Sequence, residues 1–237
     1  MLSLSECIPW MTVGLAESVA IVTLNLSTII VFTKNGHLRK RSTYLVINLA
    51  VIDMLAGGSA MYQLFYVVGT DCNIWKGHRI EEWGYYLIKV FIPLFYTGSS
   101  TNITVISLER LHATFWPFRH RFVKKGIYGF IVIFVWVISV LVVISLLIFE
   151  KRENFECVFY LWNLFHGVCL LVVCMSYTSI EIKVRCGAQP QHHGAASRER
   201  KLTVTLLIVT VVSLLLYLPN IIFNIILNTG KFEALWS

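Results

Sequence analysis

Charge is what this chain has least of. Asp, Glu, Lys and Arg make up 14% of its 237 residues against 57% hydrophobic, and the mean hydropathy is +0.70. So little polar side chain cannot cover a water-soluble sphere of this size, which excludes a soluble globular domain and makes lipid the solvent. Acid is scarcer than base, 13 against 20, for a formal net charge of +7. No internal repeat, low-complexity tract or dividing linker interrupts the sequence, so residues 1–237 are expected to form one domain. The first nine residues hold Glu6 and no Lys or Arg, and the apolar run that follows is too long for a signal core. A cleavable signal peptide is therefore not expected, and the first segment acts as its own insertion signal with the N-terminus outside.

What is present is long apolar runs. Six stretches, roughly 10–33, 43–68, 83–114, 126–149, 158–184 and 201–227, are separated by short polar segments. Each is long enough, at about 1.5 Å per residue, to span a hydrocarbon core of about 30 Å as a helix. The expected fold is all-α, a polytopic transmembrane helical bundle. Loop charge orients it. The first loop (Lys34, Arg39, Lys40, Arg41) and the third (Arg119, Arg121, Lys124, Lys125) contain no acid, and the fifth has five bases against two acids. The second and fourth loops each carry two bases and three acids. The positive-inside rule puts the odd loops in the cytoplasm. The excess positive charge then sits on one membrane face, where anionic lipid and an acidic cytosolic partner meet it; nothing supports a nucleic-acid partner.

Six cysteines divide by compartment: Cys7, Cys72 and Cys157 outside, Cys169 and Cys174 within the fifth segment, Cys186 in a cytosolic loop. Only the outer three are placed where a disulfide persists. They allow one bridge and leave one over, and Cys72 with Cys157 is the preferred pair.

Several polar residues sit where lipid penalises them. Asp53 is a carboxylate with about ten residues of apolar helix before it, a group that costs several kcal/mol unless it faces a polar interior. Asn25, Asn48 and Ser99 lie at comparable depth on neighbouring segments. On the third segment Lys89, Ile92, Tyr96, Ser99, Ile103, Ile106 and Arg110 recur every three or four residues and share one face, ending in Glu109-Arg110-Leu111 before the basic loop. On the sixth, Glu199, Thr203, Leu206, Thr210, Ser213 and Tyr217 recur likewise, with Pro219 just beyond.

With Asn25 in the first segment, Leu49-Ala50-Val51-Ile52-Asp53 in the second, Glu109-Arg110 closing the third, Trp136 in the fourth, Tyr177 in the fifth and Pro219 in the sixth, the chain resembles a rhodopsin-like (class A) G-protein-coupled receptor over its whole length. The resemblance implies a sodium site at Asp53, Ser99 and Asn25 that favours the inactive state; the alternative is a hydrogen-bonded, neutral Asp53 with no ion. It also implies a cluster of Glu109, Arg110 and Glu199 that holds the third and sixth segments together at rest. Activation breaks it and swings the sixth segment outward about Pro219. The alternative is three solvated charges worth about 0 to 1 kcal/mol as a pair. Tyr177 would support the freed Arg110, although a tyrosine near an interface is also ordinary belt chemistry. The implied partner is a heterotrimeric G protein at the plasma membrane. Catalysis belongs to that partner, so no enzymatic activity is expected of this chain.

The sequence departs from the family pattern at several places. Leu111 replaces the usual aromatic residue after Glu109-Arg110, Tyr217 stands for Trp, Cys169 for Pro, and Tyr85 occupies the usual outer disulfide position, where Cys72 would have to substitute. The chain ends ten residues after the sixth segment with no seventh segment and no Asn-Pro-x-x-Tyr. The expectation is a bundle with six of the seven receptor helices, a fragment of a longer product.

Ile92 stands where amine receptors carry Asp, which disfavours a biogenic amine. Lys89, Ile92, Tyr96 and His166 are the pocket candidates. Lys89 either meets an acidic or polar ligand group or snorkels to headgroups. The segment before the first helix is too short for a large ectodomain, so a small molecule or short peptide is the size class. Asn25-Leu26-Ser27 and Asn102-Ile103-Thr104 match the glycosylation pattern inside helices and are expected to be unmodified. A six-helix channel or transporter subunit would show repeated intramembrane charges or broken helices, and an intramembrane enzyme a metal cluster or a paired nucleophile; neither pattern is evident. A truncated, non-signalling receptor acting by dimer pairing is the remaining alternative.

Overall fold

The computed structural model describes residues 4–34, 42–65, 82–152 and 155–186. Among them every regular element is a helix: α1 (Leu4–Lys34), α2 (Thr43–Gln63), α3 (Glu82–Phe115), α4 (Pro117–Phe122), α5 (Lys125–Lys151) and α6 (Phe155–Cys186). The first five apolar segments are α1, α2, α3, α5 and α6. The sixth segment, with Glu199, Tyr217 and Pro219, lies outside the described residues.

The short helix α4 was not anticipated. Pro117 opens it at a position whose backbone N–H would have no intrahelical acceptor, so proline costs nothing there. His120 N donates to Trp116 O at 3.0 Å and Val123 N to His120 O at 3.3 Å, which closes the turn. The helix folds the basic third loop back beneath α3.

α1, α2, α5 and α6 contain stretches long and apolar enough to cross a membrane, Met11–Lys34, Thr43–Gln63, Lys125–Lys151 and Cys157–Lys183. The 34-residue α3 is longer but less apolar than the sequence pattern suggested. The reason is its place: α3 packs against α2, α5 and α6 at once and buries Thr97, Thr101, Asn102 and Ser107 among them. A helix packed on three sides can bury polar side chains there, and it keeps large apolar ones such as Phe91 and Leu108 for the side it exposes. α5 shows the opposite case. Its buried face carries Tyr128, Val135, Ser139, Val143 and Leu146, while Phe130, Ile133, Phe134, Val137, Leu141 and Ile144 are exposed, as lipid-facing residues are.

The core is three small clusters along α3. Leu45, Ile106 and Tyr128 join α2, α3 and α5 near the inner end; Ile52, Phe95 and Val135 join the same helices further out; Val173, Tyr177 and Ile180 of α6 receive Ile103 and Leu111 of α3. Helices come close where side chains are small. A methyl added at Gly57 of α2 would lie 3.0 Å from Ile21 Cγ2 and 3.1 Å from Val22 Cγ2 of α1.

Hydroxyls in these helices mostly satisfy themselves. Ser18, Thr23, Ser27, Thr101, Ser139 and Ser176 each donate to the carbonyl four residues back, at 2.7–2.8 Å. With no water in the bilayer core the preceding turn is the nearest acceptor.

Candidate functional site

The inner end of α3 carries the densest polar group. Glu109 is nearly enclosed, its side chain 8% exposed, and its Oε2 lies 3.4 Å from Arg110 Nε. The other oxygen, Oε1, lies 2.8 Å from His120 Nε2 of α4 and accepts a hydrogen bond from the Tyr128 hydroxyl of α5 at 3.3 Å. Tyr128 Oη and His120 Nε2 are themselves 3.2 Å apart. Arg110 Nη2 reaches Ser42 Oγ, just before α2, at 3.4 Å. Tyr177 is buried on α6 in the cluster that receives Leu111, so the residue that replaces the family's aromatic packs toward Tyr177. Lys183 of α6 donates to Phe115 O at 3.3 Å and sits 4.3 Å above the Phe115 ring, which ties the two inner helix ends. Glu199, Tyr217 and Pro219, the rest of the expected switch, lie outside the described residues.

In mid-membrane the expected juxtaposition of Asp53 and Ser99 is present: Ser99 Oγ donates to Asp53 Oδ1 at 2.6 Å. Asn25, the third residue expected there, is turned along its own helix, its Nδ2 donating to Ile21 O at 2.9 Å. Among the described residues no hydrogen bond links it to Asp53. A carboxylate with a hydroxyl oxygen beside it is a donor set suited to a hard cation; Asp53 and Ser99 are the side chains that would hold one. Asn48 does not join them either. Its Oδ1 accepts from Trp136 Nε1 at 3.2 Å, a link between α2 and α5. Asn102, noted in the sequence only as an unusable glycosylation site, is fully buried and donates from Nδ2 to Leu45 O of α2 at 3.0 Å.

The bundle, the inner Glu109-Arg110 pair and the Asp53–Ser99 contact occupy a stretch of chain that matches the family model of the 7 transmembrane receptor (rhodopsin family), over residues 24–235. The chain belongs to that family. Among curated proteins none matches it.

On the receptor's outer side, Lys89 of α3 forms an ion pair with Glu150 at the end of α5, each side chain about a third exposed. For Lys89, which the sequence leaves between a ligand group and lipid headgroups, the structure supplies a protein partner, one of the acids assigned to the fourth loop. Ile92 and Tyr96 follow down α3, both half-buried. His166 of α6 is buried, with Nδ1 2.9 Å from Trp162 O and its ring 4.3 Å from the Trp162 ring. Cys157 is exposed near the start of α6, and its expected partner Cys72 lies outside the described residues. Cys169 and Cys174 are free thiols, as their membrane position requires.

Sequence reasoning missed His120, Tyr128 and Glu150. His120 reaches Glu109 by a fold-back of the loop that no periodicity announces. Tyr128 was visible only as one more aromatic at an interface. Glu150 lies 61 residues from Lys89 in a loop whose acids look alike.

Proposed function

We propose that this receptor, at the plasma membrane, binds a small molecule or short peptide from outside and activates a heterotrimeric G protein through the inner end of α3. The observation that carries the proposal is the Glu109-Arg110 pair. Its acid is almost shielded from water and oriented by partners from two other helices, so the pair is not the freely solvated surface contact that contributes nothing.

In this reading Arg110 is the movable group. At rest it lies beside Glu109 and is held from the sixth segment by Glu199. Ligand binding between the outer ends of α3 and α6, near Ile92, Tyr96 and His166, favours an arrangement in which the sixth segment turns about Pro219 and Arg110 is released toward Tyr177 and the G protein. Asp53 and Ser99 lie between the two ends; they are the side chains that would hold a sodium ion, whose charge would offset the carboxylate and favour the resting arrangement. Lys89 is engaged by Glu150, so an anionic ligand group must compete with that carboxylate.

The test is Arg110→Ala in the natural full-length chain, with cell-surface labelling and G-protein nucleotide exchange measured together. Normal surface labelling with exchange reduced to that of receptor-free membranes is expected; exchange at the wild-type level would refute the assignment.

A further inference from the structure

We propose that Glu17 of α1 is the anionic anchor of this receptor's outer pocket, and that the ligand presents a protonated aliphatic amine to it. The inference deepens the reading of the outer ends of the bundle as a ligand site and rests on that reading.

Glu17 lies inside the membrane-crossing stretch Met11–Lys34 of α1. A carboxylate turned to lipid is strongly disfavoured there, and acids at such depth face the bundle and mark a binding path. The packing of α1 fixes which way it turns. Gly14, Ser18 and Ile21 line the contact with α2: Ser18 is buried, Gly14 lies against Leu64, and Ile21 lies against Gly57. Glu17 is three residues after Gly14 and four before Ile21, so it borders that stripe on one edge. The edge is the one toward α3, because the Glu17 charge acts on the Tyr96 hydroxyl.

Depth gives the acid its place in the pocket. α1 and α3 both run inward from the outer face. Glu17 precedes Asn25 by eight residues, about 12 Å of helix rise, and Ile92 precedes Ser99 by seven, about 10 Å. Asn25 and Ser99 lie at comparable depth, so Glu17 stands level with Ile92, one turn above Tyr96. The height at which α3 carries Ile92 in place of an acid is therefore supplied with one from α1.

Charge then selects the ligand. Among the described residues Glu17 has no hydrogen bond and no ion pair. The bases in the outer half of the described spans are already placed: Lys89 is engaged by Glu150, and His166 is buried on α6 against Trp162. The sixth segment, 201–227, has no Lys, Arg or His after Lys201 at its inner end. The helices thus bring the carboxylate into the pocket without a cation of their own to meet it. An ammonium group satisfies it directly, and Tyr96 offers that group a hydroxyl oxygen as acceptor and an aromatic ring that attracts cations.

The experiment measures the thermal midpoint of the detergent-solubilised full-length receptor with n-butylammonium, n-butanol or butyrate at equal concentration, in potassium chloride so that sodium does not compete at Asp53. The variants are wild type, E17Q, D53N and R110A. Butylammonium at about ten times its Kd is expected to raise the wild-type midpoint by roughly 3 to 5 °C above butanol, and butyrate is expected to give no such rise. E17Q is expected to lose the rise; D53N and R110A are expected to keep it. Should E17Q not yield folded protein, E17A repeats the comparison, and the contrast between butylammonium and butanol in the wild type can fail without any variant. Equal midpoints with the amine and the alcohol in the wild type, an undiminished rise in E17Q, or a rise lost in D53N but kept in E17Q overturns the proposal. The coupling reading fails separately, on wild-type nucleotide exchange by R110A, and that result leaves the midpoint comparison standing.

Discussion

Ser99 Oγ donates to Asp53 Oδ1 at 2.6 Å across 46 residues of sequence. That contact fixes α3 against α2 in mid-membrane and gives the buried carboxylate a partner that can also share a cation. If sodium is held there, basal nucleotide exchange by the wild-type receptor will be lower in sodium chloride than in potassium chloride of equal strength, and Asp53→Asn will abolish the difference. Equal exchange in the two salts for the wild type would leave Asp53 as a hydrogen-bonded group only.

The Lys89–Glu150 ion pair joins the outer ends of α3 and α5 with both side chains about a third exposed. Solvent screening limits such a pair to about 0.5 kcal/mol, within the range of exposed ion pairs. K89E and E150K are each expected to lower the thermal midpoint of the detergent-solubilised receptor slightly, and the double reversal to restore most of the loss. Strictly additive losses would show that the two charges act independently.

Gly57 faces Ile21 and Val22 of α1 so closely that a Cβ there would lie 3.0 and 3.1 Å from their Cγ2 atoms, and a larger side chain must displace them. Gly57→Leu is expected to push α1 and α2 apart at a cost of about 1 to 3 kcal/mol, the range for overpacking, and to reduce the yield of folded receptor at the cell surface. Gly58, one residue on, has open space around its Cβ position and is the matched control. If both leucine variants reach the surface equally well, the close approach at Gly57 carries no weight in assembly.

Asn102 is fully buried and spans α3 to α2 through Leu45 O. Asn102→Leu removes that interhelical hydrogen bond and inserts a branched group into a filled site. A loss of about 1 kcal/mol is expected, in line with interhelical hydrogen bonds in membranes, read as a lower thermal midpoint with Arg110-dependent exchange preserved. A variant as stable as wild type would mean the amide bond is offset by the cost of burying it.

The lengths and order of the first five segments could be read from the sequence because a lipid core demands about 20 apolar residues per crossing and tolerates few charges. The Asp53–Ser99 contact was legible for a related reason: a buried carboxylate needs a donor, and Ser99 stands at its depth on the neighbouring helix. Three things were not. Pro117–Phe122 is too short and too basic to show a helical period, so the fold-back that carries His120 to Glu109 left no trace. The partner of Lys89 depends on which loop acid the bundle geometry brings near, and sequence depth alone does not choose between Glu150 and its neighbours. The direction of Asn25 was not legible because depth fixes height in the membrane but not rotation about the helix axis; its amide nitrogen donates to Ile21 O of its own helix.

The polarity of α3 bears on how the protein is made. A segment that buries Thr97, Thr101, Asn102 and Ser107 and carries Lys89 near its outer end partitions poorly into lipid by itself, where each strongly polar residue near the centre disfavours insertion. α1 and α2 emerge from the ribosome first and offer Asp53 and Leu45 O as ready partners for Ser99 and Asn102. The translocon would then release α3 into a half-built bundle, with α5 needed to enclose its remaining polar face. Substitutions on α2 that spare every ligand and G-protein contact would act during synthesis, by stranding α3 at the membrane surface before any signal is sent.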